Sequence, residues 1–517
     1  MHSGEKFGKK KHESKNKKKK QKPMSDKKED PVSWRTRVLD SKSPSFCGAK
    51  WYNATIWLGN GATTSCHLPP PHKINAKELE DNPSALHNTT YKKLVRKQMQ
   101  EGVRPKECDY CWRVEDLNPD LVSDRYYKSK LYSEEELQKA YESDWQTDHT
   151  LKTLEIAFDS NCNFACSYCN AGYSTTWAHD LKKNGPYQNL ISDGWAAFAQ
   201  DGNWAQPYGV KNTNNPYTKA FWKWWESDLQ YSLDTLRVTG GEATVSYDFW
   251  KLIDWYEKNP DCPVTLAVNT NLGIKRNALD KLVELSKKIP TFHIYTSNES
   301  FGPHAEYIRD GLIWDDWLAN YNYMLDNGEF KLLHCMLTLN ALCLFSLDKL
   351  HEMIFDIREK YTRPYSYIDF SYNILRFPSF QSAITLPEHI RAERAEYYTK
   401  WLAKNKARMW QHEIDGMTRM IEYVEKVEEG HQTRDFSDLN VRQRDFVSFY
   451  RQYDQRRGKS FADTFSEFPD LVNWFNGYDT SENVNPLGQC VDGDATKWGI
   501  ADYNETIATA WDQGLLK

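Results

Sequence analysis

A chain of 517 residues with a formal net charge of −5 is long enough for two or three domains, and too weakly charged overall to declare a strongly charged partner. Its 20 Trp and 30 Tyr suit large cores and wide pockets but specify no ligand. Eleven cysteines with no N-terminal apolar h-region argue against a secreted disulfide scaffold, and for metal ligation in a reducing, cytoplasmic setting.

Lysine dominates the N-terminus, with KKK at Lys9–Lys11 and KKKK at Lys17–Lys20. Such a block repels itself and buries too little apolar area to order, which predicts a disordered tail over 1–40. A solvated tail is the plain reading; nucleic acid held by the lysines is the functional one. From Ser45 the composition changes. Cys47 is followed by thirteen residues, Gly61, four residues and Cys66, and RPKECDYCWRVED adds Cys108 and Cys111. Gly61 lets two short strands turn back, so Cys47 and Cys66 can lie side by side while the CxxC pair closes a four-thiolate cage. By geometry that cage fits zinc as well as iron and sulfur. TTYKKLVRKQMQEG reads as an amphipathic helix opened by Thr89 or Thr90 and closed by Gly102, and residues 123–150 as a polar connection.

The stretch LKTLEIAFDSNCNFACSYCN, Leu151–Asn170, alternates Leu154, Ile156 and Phe158 as a strand and empties into a loop carrying Cys162, Cys166 and Cys169. Three thiolates this close can wrap one face of an iron–sulfur cubane, and with no nearby fourth they leave one iron open. Zinc sites favour paired CxxC units instead. A long insertion follows, rich in Gly, Asn, Gln and Trp through Asn215, then helical from Pro216 to Ser232; it reads as a substrate-facing lid or a packed surface excursion. Beyond it, TLRVTGG, VTLAVNTN, FHIYTS, KLLHCMLTLN and YIDFSYNIL alternate with helical segments, making six βα-type strands with the first. Periodicity does not separate a partial barrel from a doubly wound sheet. The most apolar stretch, Leu332–Phe345, is too short to cross a membrane. Cys335 and Cys343 read as buried small hydrophobes and Cys262 follows a helix; Cys490, in a Gly-containing turn, is a candidate hydrogen-atom donor or extra ligand. Thr385 with Glu388 forms a capping-box pattern opening a helical stretch to about Gly430. A second helix runs from Asp438 to Arg457, stopped by Gly458, with Phe446, Tyr450 and Tyr453 in its core.

CxxxCxxC with aromatic Tyr168 before the third cysteine resembles the signature of the radical S-adenosylmethionine (SAM) superfamily. The resemblance implies an α/β fold with a partial (β/α)6 TIM-like barrel over 151–380. It also implies a 4Fe–4S cluster on Cys162, Cys166 and Cys169 whose open iron binds SAM. Reductive cleavage of SAM would then give a 5′-deoxyadenosyl radical that takes hydrogen from a substrate. Gly240, Gly241 and Glu242 resemble the family's GGE motif for the SAM amino group, with Ala243 in place of its usual Pro. Tyr168 and Asn269 join the implied SAM contacts, with Ser297 for the ribose, Arg309 for the carboxylate, and Asn340 and Ile374 for the adenine. A surface ion pair with Glu306 or Asp310 is the alternative for Arg309. CX13GX4C plus CX2C resembles the auxiliary-cluster module of the SPASM/twitch subgroup, in its twitch form, here as an N-terminal cysteine-rich β-hairpin module over 41–150 preceding the barrel. That implies a second, auxiliary 4Fe–4S cluster on Cys47, Cys66, Cys108 and Cys111, with structural zinc as the alternative. Residues 381–517 read as a helical C-terminal extension. The expected substrate is a peptide or protein, the expected electron donor a flavodoxin or ferredoxin, and no membrane partner is expected. The alternatives are oxidation or rearrangement of a small molecule of amino-sugar type, and a non-catalytic metal-binding adaptor for nucleic acid.

Overall fold

The computed structural model describes residues 29–118, 120–193, 195–198, 214–361, 367–425 and 439–481. Eleven strands organise them: β1 (Asn53–Trp57), β2 (Ala62–Thr64), β3 (His72–Lys73), β4 (Thr153–Ala157), β5 (Ala165–Cys166), β6 (Thr235–Thr239), β7 (Thr265–Thr270), β8 (Phe292–Ser297), β9 (Arg309–Asp310), β10 (Leu332–Leu339) and β11 (Tyr367–Ile374). Nine form one sheet in the order β11-β10-β8-β7-β6-β4-β1-β2-β3, while β5 and β9 pair separately. From β1 to β11 every neighbour in the large sheet is parallel; β2 and β3 return antiparallel. The fold is therefore mixed α/β on an open, mostly parallel sheet with β11 and β3 at its edges, an arrangement compatible with a partial barrel and not closed into one.

Alternation along each strand separates two faces. Leu154, Ile156, Leu236, Val238, Leu266, Val268 and Ile294 are 0% exposed and face the helices, joining one continuous core. At roughly 1.5–3 kcal/mol for each fully buried aliphatic side chain, this layer fixes the strand register.

The cysteine-rich hairpin is not a detached module. Gly61 takes φ +65° in the β1–β2 turn, as the sequence requires, but β1 then pairs with β4 residue for residue, Asn53 opposite Thr153 through Trp57 opposite Ala157. Ala54, Ile56 and Leu58 belong to the main core. The remainder of this N-terminal region keeps a second core of its own, including Trp34, Leu39, Phe46, Trp51 and Trp112.

The boundary of the expected tail at residue 40 needs correction. Pro31–Trp34 and Arg35–Asp40 are helical, opened by Asp30, whose side chain accepts from the Ser33 N–H. Trp34, Val38 and Leu39 are buried, so apolar packing orders this end of the segment despite its lysine-rich neighbour. Lys9–Lys11 and Lys17–Lys20 lie outside the described residues, as do Cys490 and residues 199–213 of the insertion.

Thr89 caps the helix Thr90–Gln100, and Gly102 follows it at φ +78°. Thr385 is not a helix cap: its hydroxyl donates to the Ser379 carbonyl, and Pro387 takes the N-cap position of Glu388–Asn405. The periodic stretch beyond it is two helices, Glu388–Asn405 and Gln411–Glu425. Leu439–Arg457 then ends before Gly458 at φ +63°. No helix among the described residues is long and apolar enough to cross a membrane.

Candidate functional site

The loop after β4 carries Cys162, Cys166 and Cys169 at the C-terminal ends of the parallel strands, where ligands gather in α/β sheets. Cys166 lies in β5, directly opposite Arg309 of β9. The Arg309 guanidinium donates to Cys166 Sγ at 3.7 Å and to Glu299 at 2.5 and 3.1 Å. Arg309 is 4% and Glu299 0% exposed, and the Tyr168 hydroxyl donates to both Glu299 oxygens at 3.2 Å. Thus Arg309 pairs with Glu299 rather than with Glu306 or Asp310. The Phe164 N–H reaches Cys162 Sγ at 3.4 Å and the Asn271 side-chain amide at 4.0 Å. Burial pushes the thiols up, Cys166 to about 11 against the opposing pull of Arg309 and Cys169 to about 12. Binding a cation removes those protons, because the thiolate is the ligand.

The glycine–glycine–glutamate turn is moulded onto this loop. A Cβ at Gly241 would stand 2.4 Å from the Asn161 carbonyl and 2.5 Å from that of Ser160, while Gly240 adopts φ +139° against the Asp159 carbonyl. The Glu242 N–H donates to the Asn161 carbonyl at 2.6 Å. Glu242 Oε1 accepts from the Thr244 N–H and from the Thr244 and Thr270 hydroxyls, and Oε2 accepts from the Asn271 N–H at 2.5 Å. A carboxylate has about four lone-pair sites, so this one is nearly filled. Burial raises its pKa, with those four donors opposing. Its visible work is to lock the ends of β6 and β7 to the cysteine loop.

The other expected SAM contacts divide into engaged and available groups. Asn340 is consumed by its own turn, accepting from the Leu342 and Cys343 N–H groups and donating to the Thr338 carbonyl. Asn269 Oδ1 is buried without a hydrogen-bond partner among the described residues. Ser297 and Ile374 are the half-buried last residues of β8 and β11. Cys335 and Cys343 are core residues, 1% and 0% exposed.

The second cysteine set converges as well. Cys47, Cys66, Cys108 and Cys111 line one small cavity together with Lys50, Arg125 and Lys128. Lys50 pairs with Glu107, both nearly buried, and Arg125 pairs with Glu115 at 2.8 Å and Asp40 at 2.7 Å. Burial raises Cys66 to about 11 and Cys111 to about 12. Among the described residues no three His, Cys, Asp or Glu side chains close on a single-ion position, and no disulfide forms. Cys47 precedes β1 and Cys66 follows antiparallel β2, so this cavity sits at the opposite end of the strands from Cys162. The five residues of β1 separate the two ends by about 17 Å.

Sequence reasoning missed the second face of the sheet. Glu155, Arg237, Tyr295 and Ser371 are half-buried on it, with His334 and Asp369 more deeply set. His334 stands between Asp369 Oδ1 at 2.5 Å and Ser371 Oγ at 2.7 Å. Alternation alone does not distinguish such a face from one turned to solvent; the signal was the charge of those alternate positions. A hollow lies at this face's upper rim, lined by Trp57, Asn60, Ala157, Asp159, Thr239 and Gly240 among others.

The fold and site define an α/β chain with two cysteine centres at opposite ends of one parallel sheet. No family model and no curated protein matches the sequence. Two crystal structures of Streptococcus suis SuiB match at 13% identity and a TM-score of 0.30; the first covers 62% of this chain and 63% of that one. The second, SuiB bound to S-adenosylmethionine, covers 68% of each. The chain thus spans about 63% of the first structure's length.

Proposed function

We propose that the chain is a radical SAM enzyme. The observation that carries this reading is the fit between Cys162, Cys166 and Cys169 at the strand ends and the Gly240–Glu242 turn packed against their loop. Cys162, Cys166 and Cys169 would hold a 4Fe–4S cluster, which, given one electron from a reductant and with SAM bound, would supply cleavage of SAM to methionine and a 5′-deoxyadenosyl radical. The chain's own residues prepare that site. Arg309 balances thiolate charge at Cys166, and Glu299 with Tyr168 fixes the guanidinium, since a buried fork pairs best with a carboxylate. The half-buried Ser297 at the end of β8 carries the hydroxyl that would meet SAM along the strand ends. The four-cysteine cavity would hold the auxiliary 4Fe–4S cluster, its thiolates saturating every iron and its cations offsetting the charge.

His334, oriented by Asp369 and touching Ser371, is the proton-transfer group we assign on the substrate side of the sheet. The substrate in this reading is a peptide or protein, with a small amino-sugar-like molecule as the second reading. The compartment is the cytoplasm, and reduction comes from a flavodoxin or ferredoxin. Anaerobic reconstitution tests the proposal through iron, sulfide and zinc content and through 5′-deoxyadenosine formed from SAM with a strong reductant. Iron-loaded protein that forms 5′-deoxyadenosine supports it. Iron-loaded protein that leaves SAM intact, or protein loaded only with zinc, favours the adaptor reading instead.

A further inference from the structure

The polar face carries two opposite charges that close no ion pair or hydrogen bond with each other. Glu155 of β4 and Arg237 of β6 are Cα register partners on neighbouring strands, the arrangement in which opposite charges ordinarily close. Here they do not. Arg237 reaches across β7, where its register partner is the small Ala267, and lays its guanidinium 4.1 Å from the Tyr295 ring centre on β8. It has no hydrogen-bond or ion-pair partner among the described residues, so all five of its N–H donors remain available. Glu155 is likewise without a hydrogen bond, although burial raises its carboxyl and only the fields of Arg237 and Lys128 oppose that. Two half-buried charges left this way cost desolvation energy that only the field between them and that of Lys128 offset, with no hydrogen bond. The neighbouring titratable groups do not fill the gap: His293 is on β8, and Lys128 is engaged with His67 at 3.1 Å.

The hollow begins one pleat above this pair, whose own side chains are not among the residues that line it. Ala157 and Thr239, which line it, are the next residues on the same face after Glu155 and Arg237, about 7 Å along the strands. Its upper wall is Asp159, Ser160 and Gly240, the backbone that carries the cysteine loop. A few polar groups converge on it, among them Asn60, Asp159, Ser160 and Thr239.

We propose that the substrate site runs from this hollow down the polar face to Glu155 and Arg237 and takes a zwitterionic ligand, its carboxylate on Arg237 and its ammonium on Glu155. The inference deepens the proposed function by naming the substrate class: an amino acid or a short peptide presenting both charges. Tyr295 pre-positions the guanidinium for an incoming carboxylate by stacking, which leaves the planar fork unoccupied.

The test uses the full chain as purified and three probes: L-alanyl-L-alanine, its N-acetyl form and its C-terminal amide, titrated by saturation-transfer NMR. The free dipeptide is expected to saturate, and each blocked form to bind at least tenfold more weakly. Glu155→Gln should erase the cost of N-acetylation alone, and Arg237→Gln the cost of amidation alone, a cycle that isolates each contact. Arg237→Lys, which keeps the charge, should retain discrimination against the amide and guards against misfolding as the cause. Equal binding of all three probes overturns the proposal, as does saturation by none of them or blocking penalties unchanged in both Gln variants. SAM cleavage by the wild-type protein without any probe reports separately on the radical SAM reading, so failure of one is distinguishable from failure of the other.

Discussion

The two cysteine centres share one pair of strands yet differ in how the chain completes them. At the C-terminal end of β4, three thiols stand beside the Arg309–Glu299 pair and the Gly240–Glu242 turn. At the N-terminal end of β1, four thiols line a cavity with Lys50, Arg125 and Lys128. Both place buried cations near sulfur, Arg309 in the first and Lys50 and Arg125 in the second. On the proposed reading, a cluster on the first would keep one coordination position for something other than protein. Thiol count, rather than burial or charge, would then separate a reactive centre from a saturated one.

The comparison breaks most sharply with cysteine variants. Replacing Cys162, Cys166 and Cys169 together by Ala should abolish 5′-deoxyadenosine formation and remove about half of the reconstituted iron, measured by product assay and iron analysis. Replacing Cys108 and Cys111 by Ala should also remove about half of the iron while SAM cleavage persists. If both pairs of measurements fall together, the centres are not independent.

The buried cations come next. Arg309→Met strands Glu299, at 0% exposure, and Lys50→Met strands Glu107; each should cost about 3–5 kcal/mol in denaturant unfolding. Only the Arg309 variant should also impair SAM cleavage. Gly241→Ala should cost about 1–3 kcal/mol, because its Cβ meets carbonyl oxygens at 2.4 and 2.5 Å, and it should reduce SAM cleavage by displacing the turn from the cysteine loop.

The alternation of βα units, the Gly61 hairpin and the Thr89 cap were legible because each is written within a few tens of residues. Other features were not, because they join distant segments. Asn53 meets Thr153 through a shared apolar face that no local spacing announces. Arg309 finds Glu299 because the β5–β9 pairing pulls its strand back over Cys166, whereas sequence proximity pointed to Glu306 and Asp310. Thr385 had the right spacing to Glu388 for a cap, but Pro387 has no N–H and starts the helix itself. The Glu155–Arg237 face read as ordinary half-buried strand until the register aligned the two charges.

The smallest expected effect lies away from both centres and serves as a control. His351, 0% exposed and within hydrogen-bond distance of the Tyr372 hydroxyl, is held down to about 3 by burial. Between pH 6.5 and about 3 the unfolded chain binds a proton there that the folded chain does not, so stability falls as pH drops. His351→Gln should therefore flatten the acid limb of a pH–stability profile by up to about 1.4 kcal/mol per pH unit, with iron content unchanged.

The most direct measurement is Mössbauer spectroscopy of the Cys108→Ala, Cys111→Ala protein reconstituted with ⁵⁷Fe, before and after SAM is added. Three-thiolate ligation at Cys162, Cys166 and Cys169 predicts that one iron in four shifts on SAM binding while the other three hold their parameters. A spectrum unchanged by SAM, or one in which every iron is equivalent, would contradict it.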